Sequence, residues 1–192
     1  GIRTGNSMAL SRARSIGVDP LFKIDKPIHC DVQLIKSTSD DFFASDNPLG
    51  HLGGVPVDLA FIDGMHLSEF ALRDFINIEP FMADTGVIVI DDVLPRNGLE
   101  AARDRKTEPW TGDVYKVVEI LRRLRPDLIV LLVNTAPTGT AVVVGVAGLE
   151  LGECVHQPRA APADLVALGS VIRVDGREHF AERRHAVTPL VR

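Results

Sequence analysis

The stretch "VIVIDDV" (87–93) carries branched apolar residues straight into Asp91 and Asp92. Such a run reads as a strand buried on both faces, the pattern of a central strand in a parallel sheet. Burying two adjacent carboxylates is costly unless a neighbouring group compensates. The end of this strand is therefore where chemistry is expected.

Working outward, similar runs recur at 15–19 ("SIGVD"), 32–37 ("VQLIKS"), 57–63 ("VDLAFID"), 127–133 ("DLIVLLV") and 140–146 ("TAVVVGV"). Helical patterns separate them. "SMALSRAR" (7–14) predicts a short helix with Ser7 as N-cap. In 67–82, Leu67, Phe70, Ala71, Phe75 and Ile78 form one apolar stripe, and 113–125 repeats the pattern up to Pro126. Strands alternating with helices predict an α/β fold with a mostly parallel sheet. The connection 134–139 is too short for a helix, so the last two of these strands should form an antiparallel hairpin at one edge. Beyond Val146 the periodicity fades; "LGSVIRVDG" (168–176) reads as one more strand.

Bulk composition bounds the function. Of 192 residues, 45% are hydrophobic and 24% charged, enough apolar content for a real core. The formal charge of −5, with no basic patch interleaved with aromatics, argues against a nucleic-acid partner. No apolar run is long enough to span a bilayer. Cys30 and Cys154 are far apart without CxxC spacing, which points to a reduced, cytoplasmic protein. Gly1 is not an initiator Met, and the strand that should precede it is absent. An N-terminally truncated domain, with the central position of its sheet empty, is the expectation.

Several residues fall where a parallel sheet gathers its strand ends. "GIRTGNS" (1–7) is a glycine turn feeding a helix start, which lets a ligand reach unpaired N–H groups, or else an ordinary turn. Asp19 ends the next strand, where an acid accepts hydrogen bonds from ribose hydroxyls. Ser39 and Asp40 could read a base edge or simply belong to a helix-capping turn. Asp63, Asp91 and Asp92 should meet on one rim. Three carboxylates together raise one another's pKa unless a cation sits among them, and Mg²⁺ would suit; the alternative is a helix cap, a solvated acid and no metal. His66, three residues after Asp63, could take a proton from a bound hydroxyl, or be an exposed polar residue. Residues 94–116 form a long polar connection holding the single Trp at 110 and the single Tyr at 115, placed to wall a substrate pocket. There the plainer reading makes Asp113 the N-cap of the helix that follows and packs Trp110 on it.

Taken in order, these segments resemble the class I S-adenosylmethionine-dependent methyltransferases over roughly residues 1–146. "GIRTGNS" looks like the tail of the glycine-rich first motif, and "VDLAFIDGMH" (57–66) is similar to the "DxxFIDGDH" stretch of small bacterial members. The resemblance implies cofactor contacts from Gly1, Arg3, Gly5, Asn6, Ser7, Asp19, Ser39, Asp40 and Asp63. The acids look like those of metal-dependent O-methyltransferases of the catechol and caffeoyl-CoA type, with Asp63 and Asp91 matched and Asp92 in place of an Asn. An acidic pair of this kind also occurs in macrolide-sugar O-methyltransferases. In the catechol group a lysine base stands where His66 stands here.

The resulting expectation is an α/β, Rossmann-like methyltransferase domain over 1–148 with a C-terminal extension, 149–192, of unassigned role. It would use S-adenosylmethionine and Mg²⁺ held by Asp63, Asp91 and Asp92, with His66 and Asp63 catalytic. The acceptor would be a hydroxylated small molecule, and the resemblance allows a homodimer. Two alternatives stand beside it: a metal-independent enzyme with His66 as sole base, and a non-catalytic fragment or binding module of the same fold.

Overall fold

The computed structural model describes residues 2–145 and the backbone of 170–171. Its elements run α1 (Asn6–Leu10), β1 (Ser15–Val18), β2 (Val32–Ile35), α2 (Ser39–Phe43), β3 (Val57–Ile62), α3 (Ser68–Ile78), β4 (Met82–Ile90), α4 (Tyr115–Leu124), β5 (Leu128–Val133), β6 (Thr140–Gly145) and β7 (Ser170–Val171). The strands form one seven-stranded sheet in the order β2-β1-β7-β3-β4-β6-β5. β1 pairs with β2, and β3 with β4, in parallel. β6 runs antiparallel between β4 and β5, so the expected edge hairpin is present with β5 outermost. The fold is thus a Rossmann-like α/β sheet, mostly parallel, with antiparallel strands added.

The middle of the sheet differs from expectation. Instead of an empty position between β1 and β3, β7 lies there, antiparallel to both, with Val171 opposite Ile16 and Ala60. The short apolar run predicted at 168–176 contributes this strand. The remainder of the 149–192 extension lies outside the described residues, as does Val146.

Alternation along the strands builds two apolar layers. Ile16, Val18, Ala60, Ile62, Ile88 and Ile90 pack with Phe42 of α2, Phe75 and Ile78 of α3, and Val117 and Leu121 of α4. On the other face, Ile2 and Met8 pack with Phe22, Ile24, Leu34 and Phe61. Gly17 sits beneath this second layer, where a Cβ would come within 2.9 Å of Ile2 and 3.3 Å of Met8.

The helices are shorter than their sequence patterns. α1 ends at Leu10 because Ser11 turns extended, its hydroxyl 2.7 Å from that of Ser15. Its N-cap is Gly5, not Ser7, and Gly5 makes no side-chain cap. α3 gives way to a single 3-10 turn over Glu79–Phe81 and then to β4, because Pro80 supplies no N–H to continue the helix. Met82, expected to end that helix, instead begins a strand. No helix among the described residues is long and apolar enough to cross a membrane.

Candidate active site

β1, β2, β3 and β4 share one direction, so the residues that follow them lie on one rim of the sheet. Asp19 leaves β1 with Oδ1 accepting the Leu21 N–H at 2.7 Å, which fixes its carboxylate at the rim. The segment behind it then bonds to the glycine turn: Lys23 N–H to the Arg3 carbonyl at 2.7 Å, and Asp25 N–H to that of Thr4 at 3.1 Å. Gly5 holds a left-handed φ of 88°, and a Cβ there would crowd Ile24 at 3.1 Å. Arg3 and Asn6 are exposed and Ser7 is half-buried beside this turn, while Gly1 lies outside the described residues.

After β2, Thr38 caps α2, accepting the Asp41 N–H at 3.1 Å. The capping reading of "STSDDFF" thus holds, with Thr38 as the cap. Ser39, expected to face a ligand, is turned inward at 1% exposure toward Asp74 of α3. Asp40 is engaged by Arg73 Nη1 at 2.6 Å, and that guanidinium lies 5.9 Å over the Phe70 ring.

The ends of β3 and β4 meet as expected, with a change in membership. Asp63, His66 and Asp92 bring one ligand atom each within 4.8 Å of one another, and they are the only such metal-capable group among the described residues. Asp91 falls outside the group, since successive residues leaving a strand point to opposite faces. Its N–H still bonds the Ile62 carbonyl at 2.9 Å. Burial, and then the charge of Asp92, push its carboxyl up to about 6. Asp92 is also raised, chiefly by burial, while His66 and the Thr138 hydroxyl oppose the rise. These two neighbours are what makes the second carboxylate tolerable.

His66 lies between the two acids. Its Nδ1 is 3.0 Å from Asp92 Oδ2 and 2.7 Å from the Trp110 carbonyl oxygen, and its Nε2 is 3.8 Å from Asp63 Oδ1. Both His66 (φ 54°) and Asp92 (φ 62°) adopt left-handed backbone, which non-glycine residues rarely do and which concentrates at functional sites.

The long connection after β4 closes over this turn. Trp110 stacks its indole on the imidazole, with centroids 5.3 Å apart and planes 6° from parallel. Its Nε1–H donates to the Ala102 carbonyl at 2.6 Å. Asp113 does not cap its own helix through its side chain. Oδ1 accepts the first N–H of α3, at Ser68, at 2.9 Å, and Oδ2 takes Arg103 and Lys116, each at 2.8 Å. Arg103 continues to Glu69. The plain reading of Trp110 and Asp113 as local packing and local cap is thereby corrected: both act across the chain on the turn that holds His66. Of the residues that sequence reasoning left out, Thr138, Arg103 and Gly112 carry no motif; only the single Trp was a usable signal.

The donor set suits a divalent cation: two carboxylates and an imidazole within coordination reach, with the outer imidazole nitrogen held by a backbone carbonyl. No curated protein and no solved structure matches the chain. Residues 7–93, a little under half of the chain, match the family model described as "Methyltransferase domain". This segment holds Asp19, Asp63, His66, Asp91 and Asp92 and forms β1 to β4, and it is accordingly methyltransferase-like.

Proposed function

We propose that the protein transfers a methyl group from S-adenosylmethionine to a hydroxyl of a small molecule. The observation that carries this reading is the meeting of Asp63, His66 and Asp92 on a strand-end rim inside the methyltransferase-like segment. S-adenosylmethionine supplies an electrophilic methyl on a sulfonium sulfur, so the protein's work is to hold the reactants in line and to manage one proton. Asp19, with its carboxylate fixed at the rim, would accept the ribose hydroxyls, and the Gly5 turn would lie against the methionine portion. Asp40 remains the candidate for the base edge, with Arg73 setting its orientation. Ser39 would need to turn outward from its buried position to join it.

Nε2 of His66 would accept the proton of the acceptor hydroxyl, and Asp92 beside Nδ1 would stabilise the imidazolium that results. Asp63 and Asp92 would hold Mg²⁺ or a similar ion through their carboxylates, leaving Nε2 of His66 unligated as the base, and the ion's contribution would be to lower the pKa of the acceptor hydroxyl. A metal-free reading is favoured by one specific feature: the Asp92–His66 contact at 3.0 Å already orients a base without an ion.

Calorimetry with S-adenosylhomocysteine and a labelled-methyl assay on a panel of hydroxylated acceptors test the proposal. His66→Gln should leave cofactor affinity within a few-fold and lower turnover about 10²–10⁴-fold, the usual loss for a general base. No heat at millimolar ligand would instead favour a non-catalytic module. Turnover unaffected by EDTA would select the metal-free route.

A further inference from the structure

We infer that Trp110 is a positioning residue for His66: its carbonyl keeps the imidazole proton on Nδ1 and its indole fixes the ring plane, so that Nε2 alone faces the reaction side. A carbonyl oxygen can only accept a hydrogen bond, so the nitrogen 2.7 Å from it carries the proton. Asp92 Oδ2, an acceptor when ionised, lies 3.0 Å from the same nitrogen and demands the same tautomer. Nε2 is then the unprotonated nitrogen of the neutral ring. At 3.8 Å from Asp63 Oδ1 it is too far for a hydrogen bond, and its lone pair is left for a third group.

Loop and turn are locked together residue by residue. The indole lies parallel to the imidazole and is anchored at its far edge by Ala102. Thr111 and Gly112 both donate their N–H to the Glu100 carbonyl, at 3.1 and 3.0 Å. Gly112, at φ 57°, lies against the His66 carbonyl so closely that a Cβ would fall 1.6 Å from its oxygen. Asp113 then ties the same stretch to Ser68. Trp110, Gly112 and Asp113 of the loop thus hold His66 and Ser68 of the turn, which supports the left-handed backbone of His66. Trp110 touches no reacting atom in this scheme; with Asp92 it sets which nitrogen His66 presents.

The inference rests on the proposed function only for the use made of Nε2, and its test is independent of methyl transfer. Two-bond ¹H–¹⁵N spectra of EDTA-treated, ¹⁵N-histidine-labelled protein in mildly alkaline buffer report the tautomer of each ring, with His66 assigned by its loss in His66→Gln. The wild type should show His66 as a single Nδ1–H species without donor or acceptor present. Trp110→Phe keeps the carbonyl and a stacking ring and should preserve that signature. Trp110→Ala keeps the carbonyl but removes the ring that holds the imidazole plane against it, and should give a mixture of tautomers and lower kcat at least tenfold, with KM for the donor within threefold. An Nε2–H ring in the wild type, or an unchanged His66 signature in Trp110→Ala, would overturn the inference. If methyl transfer is absent while the Nδ1–H signature and its dependence on Trp110 persist, the proposed reaction fails and the positioning role stands.

Discussion

Asp74 illustrates how a single side chain sets a pH response away from the rim. It is 3% exposed on α3, faces the buried Ser39 hydroxyl without a well-formed hydrogen bond, and has Asp40 nearby. Burial, above all, pushes its carboxyl from 3.8 up to about 7. The native state therefore keeps a proton that the unfolded chain releases, so this contribution to stability is complete below about pH 4 and is lost as pH rises through about 7. The rise corresponds to about 4 kcal/mol at most between those limits. Asp74→Asn should flatten the decline and raise the melting temperature at pH 8 relative to wild type, read by thermal unfolding across pH 4–8. A wild-type melting temperature that climbs over this range would contradict the assignment. A second residue-scale expectation concerns Asp92→Asn, which keeps size but weakens the partner of His66: turnover should fall at least tenfold in the labelled-methyl assay while S-adenosylhomocysteine binding is retained.

At the scale of elements, the connection between β4 and α4 behaves as part of the site and not as a spacer. Burial by itself would raise Asp113, but Lys116, the Ser68 N–H and Arg103 outweigh it and hold the carboxyl down to about 2. Its support of the fold is thus present above about pH 4 and lost as pH falls toward 2, opposite in sign to Asp74. Asp113→Ala removes the cap on α3 and leaves the loop untethered, at a cost of about 2–3 kcal/mol for charge-assisted hydrogen bonds to a half-exposed partner. Urea unfolding at pH 7 measures it; a loss below about 0.5 kcal/mol would mean the loop is held by other contacts. Gly112→Ala adds a Cβ against the His66 carbonyl at a left-handed φ, so the loop must move. The expected result is a destabilisation of more than about 2 kcal/mol together with loss of the Nδ1–H signature of His66.

At the scale of the whole molecule, the sheet supplies rigidity and gathers the candidate site at its rim. Phe75, at 1% exposure, joins α3 to the layer over β3 and β4. Phe75→Ala should cost about 3–5 kcal/mol through lost burial and the cavity left behind. On the proposed reading, S-adenosylmethionine at the rim would bridge β1, β3 and the glycine turn, and would then stabilise the native state by mass action. At a hundredfold excess over Kd the gain is about 2.7 kcal/mol, visible as a rise in melting temperature with S-adenosylhomocysteine. No shift at saturating ligand would count against cofactor binding at this rim.

What the linear sequence settled is what local chemistry settles. Val- and Ile-rich runs with little alternation announced the buried strands, Pro126 marked the stop of α4, and the Asp residues at strand ends announced a rim, because strand direction and side-chain period are local properties. The convergence of Asp63 with Asp92 was legible for the same reason: parallel strands bring their ends to one side. Other features depended on contacts between distant segments. His66 stands in the cluster in place of Asp91, and both His66 and Asp92 are left-handed, with Gly112 packed on the first and the Thr138 hydroxyl bonded to the second. The cap on α3 comes from Asp113, many residues downstream, and the middle of the sheet is taken by Ser170–Val171 from near the end of the chain. No periodicity encodes such pairings, since their free energy exists only once both partners are already in place.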